Sequence, residues 1–532
     1  MKRRSFLLGA GALAIYRPGF GAGTPAAAAS DSVVVGWKLD EISSLDPAEA
    51  FERASTEICR NIYNTLLVYD TTDTSVLRGH AAQSWTSDPD GRRYTFKLRP
   101  GMRFHSGRPV TAHDFVYSIR RAVELNRAPT FILDDLGINK SRVVDCVRAA
   151  DATTIVIELP EPRSPQLVLC SLTTNVAALV DREEVKAHGA GDDFGNQWLK
   201  THSAGSGPFQ LHSWRPNESV TLDRFEGYWR GTAGSRRILL RHLPEPSTQQ
   251  LLLQKGDIDM ARNLNPSQVA ALGSNAALRI QAAKTFRLIY LGLNQAYGPF
   301  QKNAVLEAVK NLIDYEGIAQ TILKGFAAPR QSFVPNGIPD AVTAAPYSLN
   351  LERARSLLRE GGYPNGFDVA VDVRGSSPDI DIAQALQASL GKGGIKLSII
   401  SGDYKQMLSK YRARRHQMVI ANWGADYPDP HSMAGAFASN PDNSDDAALK
   451  TVAWRASWAI PQMTLDAAKA ARELDPSRRK ALYERIQLEH MKTSPIIEMF
   501  QETQVIVRNR STDGLLLAPS SYPDSYFGVR RT

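Results

Sequence analysis

The sequence lacks the short motifs that mark the common catalytic sites. Its 532 residues contain no Gly-x-Ser-x-Gly, His-Glu-x-x-His or Walker A pattern, so serine-hydrolase, zinc-peptidase and nucleotide-hydrolysing chemistry gain no support. Ser477 and Lys480 match the Ser-x-x-Lys spacing of penicillin-binding enzymes, but the chain has no Lys-Thr-Gly partner. They follow Asp475-Pro476, a typical helix start, so a helix surface explains the spacing better. The sequence predicts that the protein is not an enzyme.

Cysteine is nearly absent, and histidine is scattered. The three cysteines, Cys59, Cys146 and Cys170, match no metal motif, and the ten histidines form no cluster with ligand spacing. A bare metal site and a bound cofactor are therefore not expected. In an oxidising compartment an odd count leaves at least one free thiol, and Cys146 with Cys170 is the pair that we consider for a disulfide. Burial of all three as small apolar residues is the favoured alternative.

The chain has no strong excess of one charge. Its formal net charge is +8, and the first 29 residues hold four basic side chains and no acidic one. Removing these four charges leaves +4 for the rest of the chain. Proteins that bind nucleic acid usually carry a concentrated basic face, and so mild an excess gives no argument for one. We therefore expect no nucleic-acid partner.

Long apolar runs are also missing, apart from a short one near the N-terminus. The segment Lys2-Arg3-Arg4-Ser5-Phe6-Leu7 is close to the twin-arginine (Tat) signature, an apolar run extends to about Tyr16, and residues 26–30 offer a cleavage site. A Sec signal with two basic residues is the alternative. The run is shorter than the roughly 20 residues of a membrane span, and no nearby cysteine would carry a lipid. We predict a Tat-type signal peptide at residues 1–29 and a free periplasmic protein.

Two or three domains are expected, because the chain is longer than one hydrophobic core normally serves. Residues 31–160 show mostly short strands and turns, with strands at 94–98 and 153–159 and a helix that starts at the N-cap Thr111 and runs to about residue 123. From residue 286 onward strands and helices alternate. The predicted helices are 303–324, 350–360, one opened by Ser377-Pro378 in the N-cap and N1 roles, and 404–415; the predicted strands are 367–373, 395–400 and 418–421. This order predicts a mainly parallel sheet with helices on its faces.

The loop after the last of these strands is the strongest candidate site. Residues 421–430 place Trp423 three positions before Asp426, and a Pro-rich turn follows. Open α/β sheets bind ligands at the carboxyl ends of their strands. Trp423 suits the organic body of a ligand, and Asp426 suits a cationic head. The alternative is that Asp426 caps its own turn and Trp423 is a core residue, while Asp429 is expected to hold the turn.

Five blocks of the sequence resemble one family, the family 5 periplasmic solute-binding proteins of ABC transporters, which includes the oligopeptide- and dipeptide-binding proteins. The blocks lie within 81–118 (AAQSW, DG, YTFKLR, GMRF, GRPVTA, DFVYS), 205–229 (GSGPF, then Trp214 and GYW), 256–259 (GDID), 349–367 (ending GGYPNGF) and 423–430. They cover most of the chain after residue 30. The resemblance implies an α/β, periplasmic-binding-protein-like two-lobed fold (type II, cluster C) with mixed or parallel sheets, an extra inserted domain and a hinge.

The resemblance also implies domain boundaries and a mode of action. Lobe I would combine residues 30–77, 205–285 and 500–532, an extra domain at 78–204 would be inserted in it, and lobe II would be 286–499. Ligand binding would shift an open–closed equilibrium, and the membrane permease would read the closed form.

In peptide-binding relatives the acid of the candidate loop pairs with the α-ammonium of the ligand and the tryptophan lines a side-chain pocket. The resemblance carries these roles to Asp426 and Trp423. Ile420 stands where the oligopeptide type has an arginine, which leaves ligand length and a free ligand carboxylate open. Arg412, Arg414 and Arg415 can compensate, although a solvated helix end is the favoured alternative. The residues expected to contact ligand are Asp426, Trp423, Tyr427, Tyr404, Arg412, Phe51 and Arg53.

The function implied is that of a periplasmic binding component of an ABC importer. It would capture short peptides or related amino-bearing solutes in a closing cleft, deliver them to the permease and act as a monomer. One alternative is the same scaffold dedicated to another solute, such as an opine, a sugar-phosphate conjugate, a glutathione-like conjugate or a metal chelate. The other alternative is a periplasmic sensor or chaperone role.

Overall fold

The computed structural model describes residues 31–70, 73–74, 76–517 and 525–532. The chain from Asp31 to Thr532 forms one compact unit. The predicted signal peptide at residues 1–29 lies outside the described residues. Among the helices that are described, none is both long and apolar enough to cross a membrane.

An 11-stranded mixed sheet is the largest element. The strands of the described residues are β1 Ser32–Trp37, β2 Leu67–Tyr69, β3 Leu77–Gly79, β4 Ala82–Ser87, β5 Arg93–Leu98, β6 Val147–Ala149, β7 Thr154–Glu158, β8 Phe209–Arg215, β9 Ser219–Arg224, β10 Arg237–His242, β11 Met260–Ala261, β12 Leu278–Leu293, β13 Ala327–Pro329, β14 Asp368–Arg374, β15 Lys396–Gly402, β16 Met418–Gly424, β17 Ile496–Asn509, β18 Thr512–Asp513 and β19 Arg530–Arg531. The large sheet has the order β15-β14-β16-β12-β17-β11-β1-β10-β9-β8, with β13 also paired to β17. A separate four-stranded sheet has the order β4-β5-β7-β6.

The α-helices lie between these strands. In the described residues they are α1 Arg53–Ile62, α2 Ala112–Leu125, α3 Phe131–Asp134, α4 Val143–Cys146, α5 Pro165–Ser171, α6 Arg182–Ala187, α7 Asn196–Leu199, α8 Pro246–Lys255, α9 Pro266–Leu272, α10 Asn303–Lys310, α11 Tyr315–Ile318, α12 Leu351–Glu360, α13 Asp379–Lys392, α14 Tyr404–Arg412, α15 Pro430–Phe437, α16 Val452–Arg455, α17 Pro461–Arg472 and α18 Pro476–Thr493. The pair Ser477 and Lys480 lies on α18, as expected, and the Lys480 ammonium pairs with Glu484 one turn later.

The sheet is parallel only in part. Strand β14 pairs in parallel with both β15 and β16, because α13 and α14 supply the crossover connections that parallel pairs need. Strand β12 runs antiparallel to β16 on one side and to β17 on the other. The prediction of a mainly parallel sheet is therefore correct for the alternating unit of residues 368–424 and wrong for the sheet as a whole.

Several predicted helix boundaries are confirmed and others are wrong. Thr111 precedes α2, and its backbone N–H donates to the Asp114 carboxylate at 2.9 Å. The single helix predicted at 303–324 is instead broken after α10, because Asp314 accepts a hydrogen bond from the Gly317 N–H and starts α11. Ser377 does not cap α13; Pro378 occupies the cap position.

The packing divides into several apolar cores. One core is formed almost entirely by residues 48–179, around the four-stranded sheet. A second is formed by residues 33–63, 178–260 and 506–529, and two more lie on the β12–β16 part of the large sheet. The division into lobes I and II with a hinge stays a prediction.

All three cysteines are free and buried. The disulfide considered between Cys146 and Cys170 is therefore wrong, and burial as small apolar residues is confirmed. Burial raises the pKa of the Cys170 thiol well above its usual value, and it raises the pKa of Cys146 as well. A raised pKa keeps a thiol protonated, and the thiolate is the form that reacts.

Candidate ligand-binding cleft

A cavity opens beside the loop that follows β16. The space not filled by protein atoms is about 530 Å³, and part of it is open to solvent. Five parts of the chain that are distant in sequence meet there: the start of α1, the region around α3, residues 174–176, strand β12 and the loop after β16. The residues that line it include Phe51, Arg53, Ile132, Asn175, Arg287 and Asp426. The structure thus brings together three of the predicted site residues, which are Phe51, Arg53 and Asp426.

The loop that carries Asp426 is held by its neighbours. Asp429 is the N-cap of α15, and its carboxylate accepts a hydrogen bond from the His431 N–H at 2.8 Å and from the Arg479 guanidinium at 2.7 Å. The Asp426 N–H donates to the Ser432 hydroxyl at 2.7 Å. Asp429 therefore holds the turn, as predicted, while Asp426 bonds to Ser432 in the first turn of α15.

Asp426 is a carboxylate without a cationic partner. Solvent reaches part of the residue, and no ion pair with a basic side chain forms in the described part of the chain. Burial raises the pKa of Asp426 to about 7, and the negative charge of Asp135 adds to the rise, while the Ser432 hydroxyl opposes it. Because burial destabilises the charged form of this carboxylate, a cation that enters the cavity would stabilise it strongly.

A second carboxylate, Asp135, faces the same region. It directly follows α3, whose Ile132 lines the cavity. Burial raises the pKa of Asp135 to about 7, and Asp134 contributes to the rise while Arg163 opposes it. Sequence reasoning missed Asp135, because it belongs to no family motif and lies almost 300 positions before Asp426 in the chain.

The cavity also has a basic side. Arg287 lies on β12, opposite Gly424 in the strand register, and its guanidinium donates to the Glu502 carboxylate at 3.1 Å and to the Asn422 side-chain carbonyl at 2.9 Å. Sequence reasoning missed this residue too, since only the pairing of β12 with β16 brings it to Asp426. The Asp426 carboxylate and the guanidinium groups of Arg53 and Arg287 on one cavity suit a ligand that carries charges of both signs.

Trp423 lies in strand β16 and not in the loop, because the strand continues to Gly424 and is longer than predicted. Its ring is half-buried against a core cluster. The indole Nε1–H has no hydrogen-bond acceptor among the described residues. The Arg455 guanidinium carbon lies 5.4 Å from the centre of the Trp423 ring, within the range of a cation–π contact.

The remaining predicted residues are more dispersed. Tyr404 is exposed at the start of α14, where the guanidinium carbon of Arg374 lies 4.7 Å from its ring centre. Arg412 is exposed at the end of the same helix. Tyr427 is only 1% exposed and packs into the core of residues 48–179, so in this conformation its side chain does not line the cavity. That position corrects the expectation of a direct ligand contact at Tyr427.

The basic cluster considered for compensation does not act as one unit. Arg414 is turned away, and its guanidinium donates to the Trp454 carbonyl at 2.6 Å and to the Asn443 carbonyl at 2.9 Å. Arg415 is exposed on a different surface depression, together with Lys405 and Lys410. Only Arg412 of the three remains near the ligand residues. No group of three or more His, Cys, Asp or Glu side chains in the described residues is arranged to hold a metal ion.

Comparison with known proteins agrees with this architecture. Residues 76–445 match the model of the bacterial extracellular solute-binding proteins, family 5. The glutathione-binding protein GsiB of Salmonella paratyphi A is 27% identical over 509 residues, which cover 93% of this chain and 94% of that protein. The glutathione-binding protein GsiB of Pectobacterium atrosepticum is 25% identical over 509 residues, with 94% of both chains covered.

Solved structures show the same fold. The ABC transporter-associated periplasmic binding protein DppA from Helicobacter pylori, in complex with the peptide STSA, has a TM-score of 0.80 at 25% identity, with 94% of this chain and 98% of that chain covered. The dipeptide binding protein from Pseudoalteromonas sp. SM9913, in complex with Met-Leu, has a TM-score of 0.79 at 20% identity, with 94% and 100% covered. These neighbours are two-lobed periplasmic binding proteins, and the present chain has their α/β fold. The family match extends over more than half of the sequence, and the protein belongs to family 5 of the bacterial extracellular solute-binding proteins.

Proposed function

We propose that this protein is the binding component of an ABC importer and captures short peptides or related amino-bearing solutes. One observation carries the proposal: the half-buried Asp426 carboxylate lines the cavity and has no cationic partner among the described residues. A ligand ammonium would supply the missing charge. Relatives named for the binding of glutathione or in complex with peptides give independent support.

Recognition of the ammonium would involve two carboxylates. Asp426 would pair with the ammonium directly, and the nearby Asp135 would add negative potential. If the site closes and excludes water, removal of one partner of such a charged pair should cost roughly 2–5 kcal/mol of binding free energy. Phe51 and Trp423 would cover the apolar part of the ligand, and Arg53 would contact its backbone.

The rest of the expected biology belongs to the same proposal. The chain would be exported by the Tat pathway, lose residues 1–29 and work in the periplasm as a monomer. Residues 30–77, 205–285 and 500–532 would form lobe I, with 78–204 inserted, and 286–499 would form lobe II. The cavity draws residues from 50–56, 129–176 and the loop at Asp426, which fits a site between the lobes. The protein would bind and release solute without catalysis.

A dedicated solute is the second candidate. The curated relatives with the coverage given above are named for glutathione, which is a peptide-like molecule with an ammonium and two carboxylates. The arginines beside the cavity favour a ligand of this kind over an uncharged peptide. A protein of narrow specificity should co-purify with one solute, and a protein of broad specificity should co-purify with a mixture of peptides.

Native mass spectrometry of the protein without residues 1–29, purified under conditions that keep bound solutes, tests the proposal. A mixture of masses that match di- to pentapeptides supports a broad peptide receptor, and a single sharp mass of glutathione size supports the dedicated solute. The Asp426→Asn variant, prepared in parallel, is expected to lose most of this material. Equal occupancy of the two proteins, or a bound solute without an amine, would contradict the role of Asp426.

A further inference from the structure

A basic depression lies on helix α14 and the turn that follows it, and it shares no lining residue with the cavity at Asp426. The space not filled by protein atoms is about 880 Å³ and includes open solvent, so the depression does not enclose a ligand. The residues that line it are Lys405, Gln406, Ser409, Lys410 and Arg415. All five side chains can donate hydrogen bonds, three of them are cations and none is acidic. Such a surface suits an anionic partner.

Helix α14 buries one side and presents the other to solvent. Met407 and Tyr411, which are four positions apart, are its buried residues. Lys405 and Ser409 have the same spacing and are exposed. They lie on the side of the helix that is turned away from the core, because two positions correspond to about half a turn. The helix is therefore attached to the fold by apolar contacts that leave this side free.

The cations of the depression differ in their partners. Lys410 is half-buried, and its ammonium pairs with the Asp372 carboxylate on β14 at 2.7 Å. Lys405 and Arg415 are exposed, and they take part in no ion pair within the described residues. The nearby acid Asp403 is the N-cap of α14 and accepts hydrogen bonds from two backbone N–H groups of the first turn. Two positive charges on this open surface are thus left without a carboxylate partner.

The positive charge of the chain is concentrated in this segment. Residues 404–415 carry five basic side chains and no acidic one. The rest of the chain after residue 29 has one more acidic than basic side chain. The net excess of +4 after residue 29 therefore comes entirely from residues 404–415. A local field of this kind attracts an anionic surface even though the overall charge of the protein is mild.

An exposed apolar side chain borders the cations. Ile400 is exposed on β15, which is the edge strand of the 11-stranded sheet. It lies opposite Asp372 in the strand register, and side chains that are opposite each other lie on the same face of a sheet. Since the Asp372 carboxylate pairs with Lys410, Ile400 lies on the face of the sheet that carries the basic depression. Cations beside an apolar side chain suit the interface of an anionic membrane.

We propose that the basic face formed by Lys405, Lys410 and Arg415 docks the protein on a bilayer of anionic phospholipids. The phosphate groups of the lipids would accept hydrogen bonds from the depression. Its open shape favours headgroups presented by a surface over a free phosphate ion, for which a site with converging donors is expected. The inference goes beyond the proposed function, because docking needs neither the solute nor Asp426. A binding protein held at the membrane would search for its permease in two dimensions.

Flotation with lipid vesicles tests the docking. The protein without residues 1–29 is mixed with vesicles of phosphatidylcholine alone or with vesicles that also contain phosphatidylglycerol. We expect binding to the anionic vesicles only, and a reduction of about tenfold when the salt is raised from about 50 mM to about 300 mM, because salt screens exposed charges. Equal binding to both kinds of vesicle, or no binding at low salt, would overturn the inference.

A double variant assigns the docking to the basic face. Lys405→Gln with Arg415→Gln removes two exposed charges. We expect the affinity for anionic vesicles to fall about 25-fold, since each basic side chain near such a surface contributes about fivefold. Lys255→Gln with Arg510→Gln is the matched control, because both residues are exposed and lie outside residues 404–415. A loss of equal size in the two double variants, or no loss in the first, would overturn the inference.

Two competitors distinguish the bilayer from other anionic partners. Inorganic phosphate and polyglutamate are added to the protein on anionic vesicles, each at the ionic strength of a sodium chloride control. We expect neither to displace more protein than the control does. Stronger displacement by phosphate would assign the depression to a free ion, and stronger displacement by polyglutamate would assign it to an acidic protein segment. Either result would overturn the bilayer as the partner.

Solute binding is measured separately on the same proteins. Lys405 and Arg415 do not line the cavity at Asp426, so their double variant should bind Ala-Ala-Ala with wild-type affinity in calorimetry. Vesicle binding without solute binding would support the docking and contradict the proposed function alone. Solute binding without vesicle binding would overturn the docking alone.

Discussion

The Asp429 carboxylate accepts a hydrogen bond from the Arg479 guanidinium at 2.7 Å, and both side chains are buried. Asp429 lies three residues after Asp426 and caps α15, while Arg479 lies on α18. The pair thus anchors the loop after β16 to a helix that is distant in sequence. It fixes the place from which Asp426 enters the cavity.

Breaking this pair should destabilise the protein. Arg479→Met leaves the buried Asp429 carboxylate without its partner, and we expect a loss of about 3–5 kcal/mol in the free energy of unfolding. Arg478→Met is the matched control, because Arg478 is an exposed neighbour whose pair with Glu473 is screened by solvent and should contribute little to stability. Chemical denaturation of the two variants measures the difference. Equal stabilities would show that the buried pair does not anchor the loop.

Asp426→Asn should stabilise the unliganded protein at pH 8. The pKa of Asp426 is about 7 in the folded state, above its usual value of 3.8, so the folded state holds the proton more tightly. The contribution of protonated Asp426 to the free energy of unfolding is complete below pH 3.8 and is lost as the pH rises through 7. Removal of the charge should therefore raise the free energy of unfolding at pH 8 by on the order of 1 kcal/mol. The gain is no larger because solvent screens part of the unfavourable charge. Thermal midpoints of both proteins from pH 4 to 8 test this, and curves that stay parallel would contradict it.

Ligand affinity should depend on pH in the same range. Asp426 is protonated below pH 7 and loses its attraction for an ammonium, while a ligand α-amine loses its own proton near pH 8. We expect the affinity to be highest between pH 7 and 8 and about tenfold weaker at pH 5.5. Asp135→Asn should shift the acidic limb to lower pH, since it removes a charge that raises the pKa of Asp426. Calorimetry across this range would refute the account if the profile were flat.

The three thiols should be unreactive in the folded protein. Cys59, Cys146 and Cys170 are buried and free, and burial raises the pKa of each thiol. A thiol reagent such as dithiobis-nitrobenzoate should label none of them rapidly in the native state and all three after unfolding. A reductant should leave the thermal midpoint unchanged. Fewer than three labelled thiols in the unreduced, unfolded protein would reveal a disulfide.

Sequence patterns predicted the secondary structure correctly where it is determined by residues that are close together in the chain. The N-cap Thr111 and the helix at 350–360 were recognisable because helix starts and apolar periodicity depend on residues only a few positions apart. The helix predicted at 303–324 was wrong because its apolar periodicity continues across Asp314, where a capping hydrogen bond divides it. The pairing of β12 with β16 has no local signal, since it joins segments more than 100 residues apart.

The candidate site was predictable only in its loop. Asp426 and Trp423 belong to a family motif, and Phe51 and Arg53 were expected because residues 48–53 resemble the family segment that runs beside an extended ligand backbone. Asp135 and Arg287 come from two other parts of the chain, and each resembles an ordinary surface residue in the sequence. Their place near Asp426 depends on the packing of distant segments, which only a folded structure displays.

Binding of a ligand ammonium by Asp426 can be tested by measuring the affinity of the Asp426→Asn variant at pH 7.5. Calorimetry with Ala-Ala-Ala and with reduced glutathione would compare it with the wild-type protein and with Asp88→Asn, a surface variant of equal charge change. We expect a loss of about 30-fold or more for Asp426→Asn with the free-amine ligands, a loss of similar size when the wild-type protein binds the N-acetylated ligands, and no loss for Asp88→Asn. Affinities of Asp426→Asn and wild type within threefold of each other would contradict it.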